Sequence, residues 1–205
     1  MDRLKDIFYG CILGGAFGDA FGYPVEFLKW NQIRRQYGPD GIDFLKLSNG
    51  RASISDDTQM TLFTMAGITA GMARMDCKGI GGKMAFYINM AYCDWLHTQE
   101  KDENYQPFAQ ELFRLPEMHE WRAPGMTCLG ALREQLDGSV NPPYTNFFAD
   151  PEHPCNTSKG CGGVMRVAPV GLMVGGGARK FGPESAARLG ASNCVFLISC
   201  GAVIS

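Results

Sequence analysis

Apolar positions along this chain recur mainly at the three- and four-residue spacing of an α-helix. Over residues 4–21 they fall on one helical face, and the same spacing returns in three later stretches. Because the alternating pattern of a half-buried strand is scarce, we expect an all-α fold. The predicted long helices cover residues 4–21, 58–74, 82–97 and 128–136, with Thr127 as the N-cap of the last.

Loops and shorter helices account for the rest of the pattern. Residues 37–54 and 139–163 are rich in the turn formers Gly, Pro and Asn, and long segments of this kind are usually functional or disordered. The remaining expectations are a polar turn at 100–107, a short helix ending at Arg114, a helix from Val164 that is kinked at Pro169, and a helix over 186–193.

A stripe of glycines runs along the first predicted helix. Gly10, Gly14, Gly18 and Gly22 recur every four residues and therefore share one face. Each Gly in a helix interior costs roughly 1 kcal/mol relative to Ala, so the stripe needs a compensating reason. We interpret it as a groove that admits the backbone of another helix.

Composition narrows the class of protein. The chain has 205 residues, of which 45% are hydrophobic and 20% charged, and we expect a single globular domain over residues 1–205. A net charge of -2 without a block of Lys or Arg argues against nucleic acid as a partner. We expect no membrane span and no leader peptide. Eight cysteines without a Cys-x-x-Cys pair argue against a zinc ribbon, and we expect a cytoplasmic protein.

The sequence Ser55-Asp56-Asp57-Thr58 stands directly before the second long helix. Its four side chains offer hard oxygen donors, which Mg²⁺, Mn²⁺ or Ca²⁺ prefer. The same residues also suit a helix N-terminus, since Ser and Asp are favoured N-caps and Asp56 with Gln59 has capping-box spacing. A metal site and a simple cap both remain open on these residues alone.

Two other segments carry candidate chemistry. In residues 14–27, Glu26 stands between apolar neighbours, where a buried carboxylate is costly unless it is paired or binds a cation. Asp19 in the same segment is consistent with merely fixing a turn, and for this segment alone a structural and a functional role both stay open. In residues 156–166, glycines precede a predicted helix, and their backbone N–H groups suit phosphate oxygens. The order of residues is not that of a P-loop.

Together these segments resemble the ADP-ribosylglycohydrolase family. The resemblance is carried by Gly-x-x-x-Gly-Asp-Ala-x-Gly-x-Pro-x-Glu-Phe at 14–27, Ser-Asp-Asp-Thr-Gln-Met at 55–60, and Ser-Lys-Gly-Cys-Gly-Gly-Val-Met-Arg-Val-Ala-Pro-Val-Gly at 158–171. It implies an all-α, orthogonally packed multi-helix domain with a two-metal centre of Mg²⁺ or Mn²⁺. It also implies an enzyme that removes ADP-ribose from modified proteins or small molecules by hydrolysis of an N- or O-glycosidic bond.

The resemblance assigns roles by position. It implies that Ser55, Asp56 and Asp57 bind metal and that Glu26, Asp56 and Asp57 form the catalytic group. A carboxylate pair suits a reaction that passes through a cation-like anomeric carbon. The ADP-ribose itself is expected against the loop residues Ser158, Lys159, Gly160, Cys161, Gly162, Gly163, Met165 and Arg166.

One departure from the family pattern is large. The family takes its remaining metal ligands from a later Asp-x-Asp motif, and no such motif follows residue 150. The sequence is therefore expected to be incomplete at the C-terminus, where the apolar run 195–205 needs a cover. The alternative to an active hydrolase is a catalytically incomplete fragment that binds ADP-ribose or a partner protein. The acceptor that carries the ADP-ribose stays open.

Overall fold

The computed structural model describes residues 2–79, 82–102, 104–136, 158 and 160–175. Within these ranges it is almost entirely helical, which confirms the all-α prediction. Its one small sheet pairs two short antiparallel strands, β1 (Leu47–Ser48) and β2 (Arg51–Ala52). The α-helices of these ranges are α1 (Asp2–Gly22), α2 (Trp30–Tyr37), α3 (Asp56–Lys78), α4 (Met84–Glu100), α5 (Gln110–Phe113), α6 (Met126–Leu136) and α7 (Ala168–Gly175). Single 3₁₀ turns occupy Tyr23–Val25, Pro116–His119 and Cys161–Gly163.

The core lies where α3 packs along α4. Both helices are largely apolar on the facing sides, and α6 and α7 close the same core from the flanks. Burial of such side chains contributes roughly 1.5–3 kcal/mol each relative to exposure. The largest fully buried residues are Trp95, Arg166, Tyr92, Phe63, Met60, Ile88, Leu96, Leu129 and Leu132.

A glycine sets the closest approach between α3 and α4. A Cβ atom placed on Gly67 would lie 2.5 Å from the Cα of Ile88 and 2.7 Å from the carbonyl oxygen of Tyr87. Those neighbours are backbone atoms of α4, so they cannot move aside as a flexible side chain can. Gly67 is therefore required by the helix–helix distance.

Two predicted helix starts are wrong. The carbonyl of Gly125 accepts the N–H of Leu129, so α6 begins at Met126 and Thr127 lies inside it rather than capping it. The predicted helix from Val164 begins only at Ala168. Pro169 is then its second residue, where the missing N–H has no helical partner to lose, and the predicted kink does not occur.

The glycine stripe of α1 does not receive another helix from the described part of the chain. A Cβ atom on Gly10, Gly14, Gly18 or Gly22 would meet nothing within 4 Å. The interpretation of the stripe as a helix-packing groove is thus wrong for these residues. Three of the four glycines instead border the cleft described below.

Several predictions fall outside the described residues. These are the helix over 186–193, the C-terminal run 195–205 and most of the irregular segment 139–163. For the described ranges, no helix combines the length and the apolar character that a membrane crossing requires.

The contact at Gly67 gives a test of the fold. We expect Gly67→Ala to lower the free energy of unfolding by about 1–3 kcal/mol, because overpacking against α4 outweighs the gain in helix propensity. The matched control is Gly130→Ala in α6, where an added Cβ meets nothing within 4 Å. That change should be neutral or stabilise by up to about 1 kcal/mol. Urea unfolding measures both, and equal effects would contradict the packing argument.

Candidate active site

The acidic cluster forms the first turn of α3. Ser55 is its N-cap, and the Ser55 hydroxyl accepts a hydrogen bond from the backbone N–H of Asp57 at 3.2 Å. Asp56 and Asp57 follow at the positive end of the helix dipole, which favours their charged forms. The predicted capping box of Asp56 with Gln59 is wrong, because the Gln59 amide points away to other partners.

Asp19 joins α1 to this turn. Its Oδ2 atom accepts hydrogen bonds from the backbone N–H of Ser55 at 2.9 Å, from the backbone N–H of Thr58 at 3.2 Å, and from the Thr58 hydroxyl. One carboxylate from another helix thereby satisfies donors that the start of a helix leaves without partners. The sequence analysis gave Asp19 no such role. Its place beside Gly18 in the 14–27 motif was the available signal.

Asp56 is held on two sides by the chain that leads into α6. Its backbone N–H donates to the carbonyl of Arg122 at 2.9 Å, and its Oδ2 accepts the N–H of Gly125 at 2.9 Å. The residue is only 6% exposed. The orientation of this carboxylate is thus fixed by a segment almost 70 residues later in the sequence.

Four carboxylates, those of Asp19, Glu26, Asp56 and Asp57, lie near one another in this region, and the pKa values of the last three are raised. Burial raises the pKa of Asp56 to about 7; the Gly125 N–H opposes that shift, and the charges of Asp57, Glu26 and Asp19 add to it. Burial and the charge of Asp19 also raise the pKa of Asp57. Glu26 is exposed by comparison with the two aspartates, yet partial desolvation, followed by the charges of Asp57 and Asp19, raises its pKa. Among the described residues, none of the recorded ion pairs includes these four carboxylates.

A cleft of about 550 Å³ opens beside the cluster. This volume lies within the usual range of small-molecule sites. The cleft collects residues from all three segments that the sequence analysis singled out. Its wall is formed by the glycine face of α1 together with Asp19, Tyr23, Glu26, Ser55, Asp57, Thr58, Thr61, Cys161, Met165 and Ala168.

The predicted substrate-binding loop meets the cleft only in part. Cys161 and Met165 line it, whereas Gly162 and Gly163 are buried behind. The Ser158 hydroxyl lies 3.5 Å from that of Thr127, outside the lining, and Gly160 is exposed. Lys159 lies outside the described residues.

Arg166 does not reach the cleft. Its side chain is fully buried, with the guanidinium over the ring of Tyr92 at 4.9 Å and Nη1 3.3 Å from the Met60 sulfur. The family resemblance implies a substrate-binding role for Arg166. In this structure the Arg166 side chain packs in the core beneath the loop. The contact of Arg166 with a ligand stays a prediction.

The oxygen atoms of the cluster are of the type that a hard divalent cation prefers. Asp56 and Asp57 supply carboxylate oxygens, and burial together with neighbouring negative charges raises their pKa values, a cost that a bound cation would relieve. The Ser55 hydroxyl is already an acceptor for the Asp57 N–H. Within the described ranges, however, no three His, Cys, Asp or Glu side chains come close enough to hold a metal together.

Comparison with known proteins identifies the family of this chain. Residues 1–196 match the model of the ADP-ribosylglycohydrolase family, and the chain belongs to that family. A curated relative is the ADP-ribosyl-dinitrogen reductase glycohydrolase of Rhodospirillum rubrum, which is 27% identical over 174 residues. The alignment covers 82% of this chain and 45% of the relative, so the chain spans about half of that relative's length. No solved structure gives a significant match.

The cap that Asp19 provides can be tested by stability. We expect Asp19→Ala to lower the free energy of unfolding by about 1–3 kcal/mol, because three donors at the start of α3 lose their acceptor. Asp19→Asn should cost less, since its amide oxygen still accepts. Asp6→Ala, an exposed change in the same helix, should stay within about 0.5 kcal/mol. If thermal unfolding shows the same loss of stability for Asp6→Ala and Asp19→Ala, the hydrogen bonds of Asp19 do not stabilise the fold.

The raised pKa of Asp56 predicts how stability depends on pH without divalent cations. Between the ordinary value of 3.8 and the native value of about 7, the folded state keeps a proton that the unfolded state has lost. The contribution is therefore complete below pH 3.8 and is lost as the pH rises to about 7, by at most about 4 kcal/mol. Asp56→Asn should flatten this part of the profile. Parallel profiles for the two proteins, measured by urea unfolding in a chelating buffer, would count against it.

Proposed function

We propose that this chain, alone or as part of a longer protein, hydrolyses the glycosidic bond that joins ADP-ribose to an acceptor. The supporting observation is the convergence of three separated segments on one cleft, where Asp19, Glu26 and Asp57 stand opposite Cys161 and Met165. Membership of the ADP-ribosylglycohydrolase family supports the same reaction class. The acceptor is either a side chain of a modified protein or a small molecule.

Glu26 is the proposed general base or ribose-positioning group. It lies on the wall of the cleft with its side chain exposed, so a substrate can reach it. Hydrolysis at the anomeric carbon develops positive charge there, and carboxylates stabilise that charge while one of them accepts a proton from water. A raised pKa brings Glu26 closer to the pH at which a base both accepts and releases protons readily.

Asp56 and Asp57, with Ser55, are the proposed ligands of Mg²⁺ or Mn²⁺. Two adjacent carboxylates in a half-buried site repel each other, and a divalent cation would compensate that repulsion. Such an ion would orient the ribose hydroxyls, activate water and stabilise the leaving group. The hydrogen bonds of Asp56 to Gly125 and Arg122 would keep its carboxylate in one orientation toward the ion.

The loop of residues 158–166 is the proposed seat of the ADP-ribose. Cys161 and Met165 offer the surface that faces the cleft, and the backbone of Gly160 is open to solvent beside them. Ser158 and Lys159 complete the loop in this proposal. Gly162, Gly163 and Arg166 would act from beneath by fixing the loop on the core.

A second candidate function is ADP-ribose binding without turnover. It is favoured by the incomplete ligand set, because within the described ranges no group of three His, Cys, Asp or Glu side chains could hold a metal ion. Calorimetry with ADP-ribose separates the two: heat of binding without release of product from any modified substrate would support the binding module. Neither binding nor turnover would reject both.

Turnover tests the leading proposal. With Mg²⁺ or Mn²⁺ present, we expect release of ADP-ribose from N- or O-linked ADP-ribosyl peptides, measured by chromatography. Asp57→Asn and Glu26→Gln should each reduce the rate by at least about 100-fold, because each removes a charged group from the reacting centre. The control is Asp6→Asn, which removes an exposed carboxylate of α1 away from the cleft wall and should keep the wild-type rate.

The assay must cover several linkages and must verify folding. Wild-type protein that is folded, metal-supplemented and inactive on all linkages would falsify hydrolysis for this chain. Equal rates for Asp57→Asn and wild type would instead show that the reaction does not use the cluster.

A further inference from the structure

A buried amide links the first turn of α3 to the segment that holds Asp56. We call residues 117–125 the bridging segment. The Gln59 side chain is fully buried, and its Nε2 donates to two carbonyls of this segment, those of Glu117 and Glu120, both at 3.1 Å. Its Oε1 accepts from Trp95 Nε1 at 3.1 Å. Each polar atom of the amide is therefore engaged.

The chemistry of the partners fixes which way this amide faces. Trp95 Nε1 can only donate, and the two carbonyls can only accept. The oxygen of Gln59 must therefore face α4 and its nitrogen must face the bridging segment. A flipped amide would oppose donor to donor and acceptor to acceptor in a buried place, which is unfavourable.

A second buried amide supports the same segment. Gln99 of α4 is 6% exposed, and its Nε2 donates to the carbonyl of Met118 at 3.0 Å. Three carbonyls of the segment thus bind two glutamines that come from two core helices. The start of the bridging segment is positioned by the core.

The end of the segment meets Asp56. Two residues after Glu120, the carbonyl of Arg122 accepts the Asp56 N–H, and Gly125 donates its N–H to the Asp56 carboxylate. Between them Ala123 has a positive φ of 53°, an uncommon conformation for a residue with a side chain. Such a turn persists when both its ends are held. Gln59 and Asp56 lie three residues apart on one helix and hold the two ends.

We infer that Gln59 is a positioning residue for the active site: it holds the bridging segment so that Gly125 fixes the Asp56 carboxylate. Without the Gln59 donors, the carbonyls of Glu117 and Glu120 would lose their hydrogen bonds to α3, and only the Asp56 end of the segment would stay bound to that helix. The inference rests on the proposed function where it concerns metal binding. Partners of metal ligands commonly change metal affinity by about 10–100-fold.

The test uses Gln59→Met, which keeps the length of the side chain and removes the hydrogen bonds of its amide. We expect the dissociation constant of Mn²⁺, measured by electron paramagnetic resonance of the free ion, to rise about 10-fold or more. We also expect the amide protons of Gly125 and Asp56 to exchange with solvent at least about 10-fold faster in nuclear magnetic resonance spectra. Gln59→Asn, whose shorter amide cannot span both carbonyls, should act in the same direction if Gln59→Met folds poorly.

Thr64→Val is the matched control. Thr64 is on the same helix, is fully buried and hydrogen bonds Tyr92 at 2.6 Å, but it has no recorded hydrogen bond to the bridging segment. Thr64→Val should lower the melting temperature while leaving the Mn²⁺ dissociation constant and the amide exchange of Gly125 and Asp56 at the wild-type values. An equal change in Thr64→Val, or unchanged readouts in Gln59→Met, would overturn the inference. Wild-type protein that binds no Mn²⁺ would count against the proposed metal site, while amide exchange would still decide the role of Gln59.

Discussion

The carboxylate of Asp19 ties two helices together at the point where the site forms. By accepting hydrogen bonds from Ser55 and Thr58, it caps α3 from outside and fixes where α1 passes that helix. The cleft exists because α1 presents glycines beside this contact, so no side chain fills the space in front of Asp57. The capping of a helix and the shape of a binding site thus depend on one side chain.

This arrangement places like charges together in a partly desolvated region, so burial and then repulsion both act against the charged carboxylates. Hydrogen bonds offset part of it: Asp19 accepts from two backbone N–H groups and the Thr58 hydroxyl, and Asp56 accepts from the N–H of Gly125. They do not offset the cost of burying the Asp56 charge: burial first, and then the charges of Asp57, Glu26 and Asp19, raise its pKa to about 7. The Asp56 carboxylate is buried and has no ion-pair partner among the described residues, so a cation that binds beside it would stabilise the folded state. The same electrostatics therefore links stability to the proposed function.

Sequence reasoning reached the helical class, the approximate limits of the long helices and the three segments of the site, because these depend on local periodicity and on residue type. It failed where a distant partner decides. The partners of Gln59 lie in α4 and the bridging segment, which no local pattern reveals, so a capping box was expected instead. Asp19 was treated as a turn residue for the same reason. The N-cap role predicted for Thr127 was wrong because the first carbonyl of that helix belongs to Gly125, which has no side chain by which a sequence could reveal a cap.

Arg166 supports the cleft from within the core, without lining it. A buried guanidinium is costly unless it is compensated, and here it rests on the ring of Tyr92, whose hydroxyl is bound to Thr64. The Thr61 hydroxyl of α3 also donates to the carbonyl of Met165 at 3.0 Å, one residue before Arg166. The loop that lines the cleft with Cys161 and Met165 is therefore held by the core helix that carries the acidic cluster. Both walls of the cleft are built on α3, so any shift of that helix moves them together.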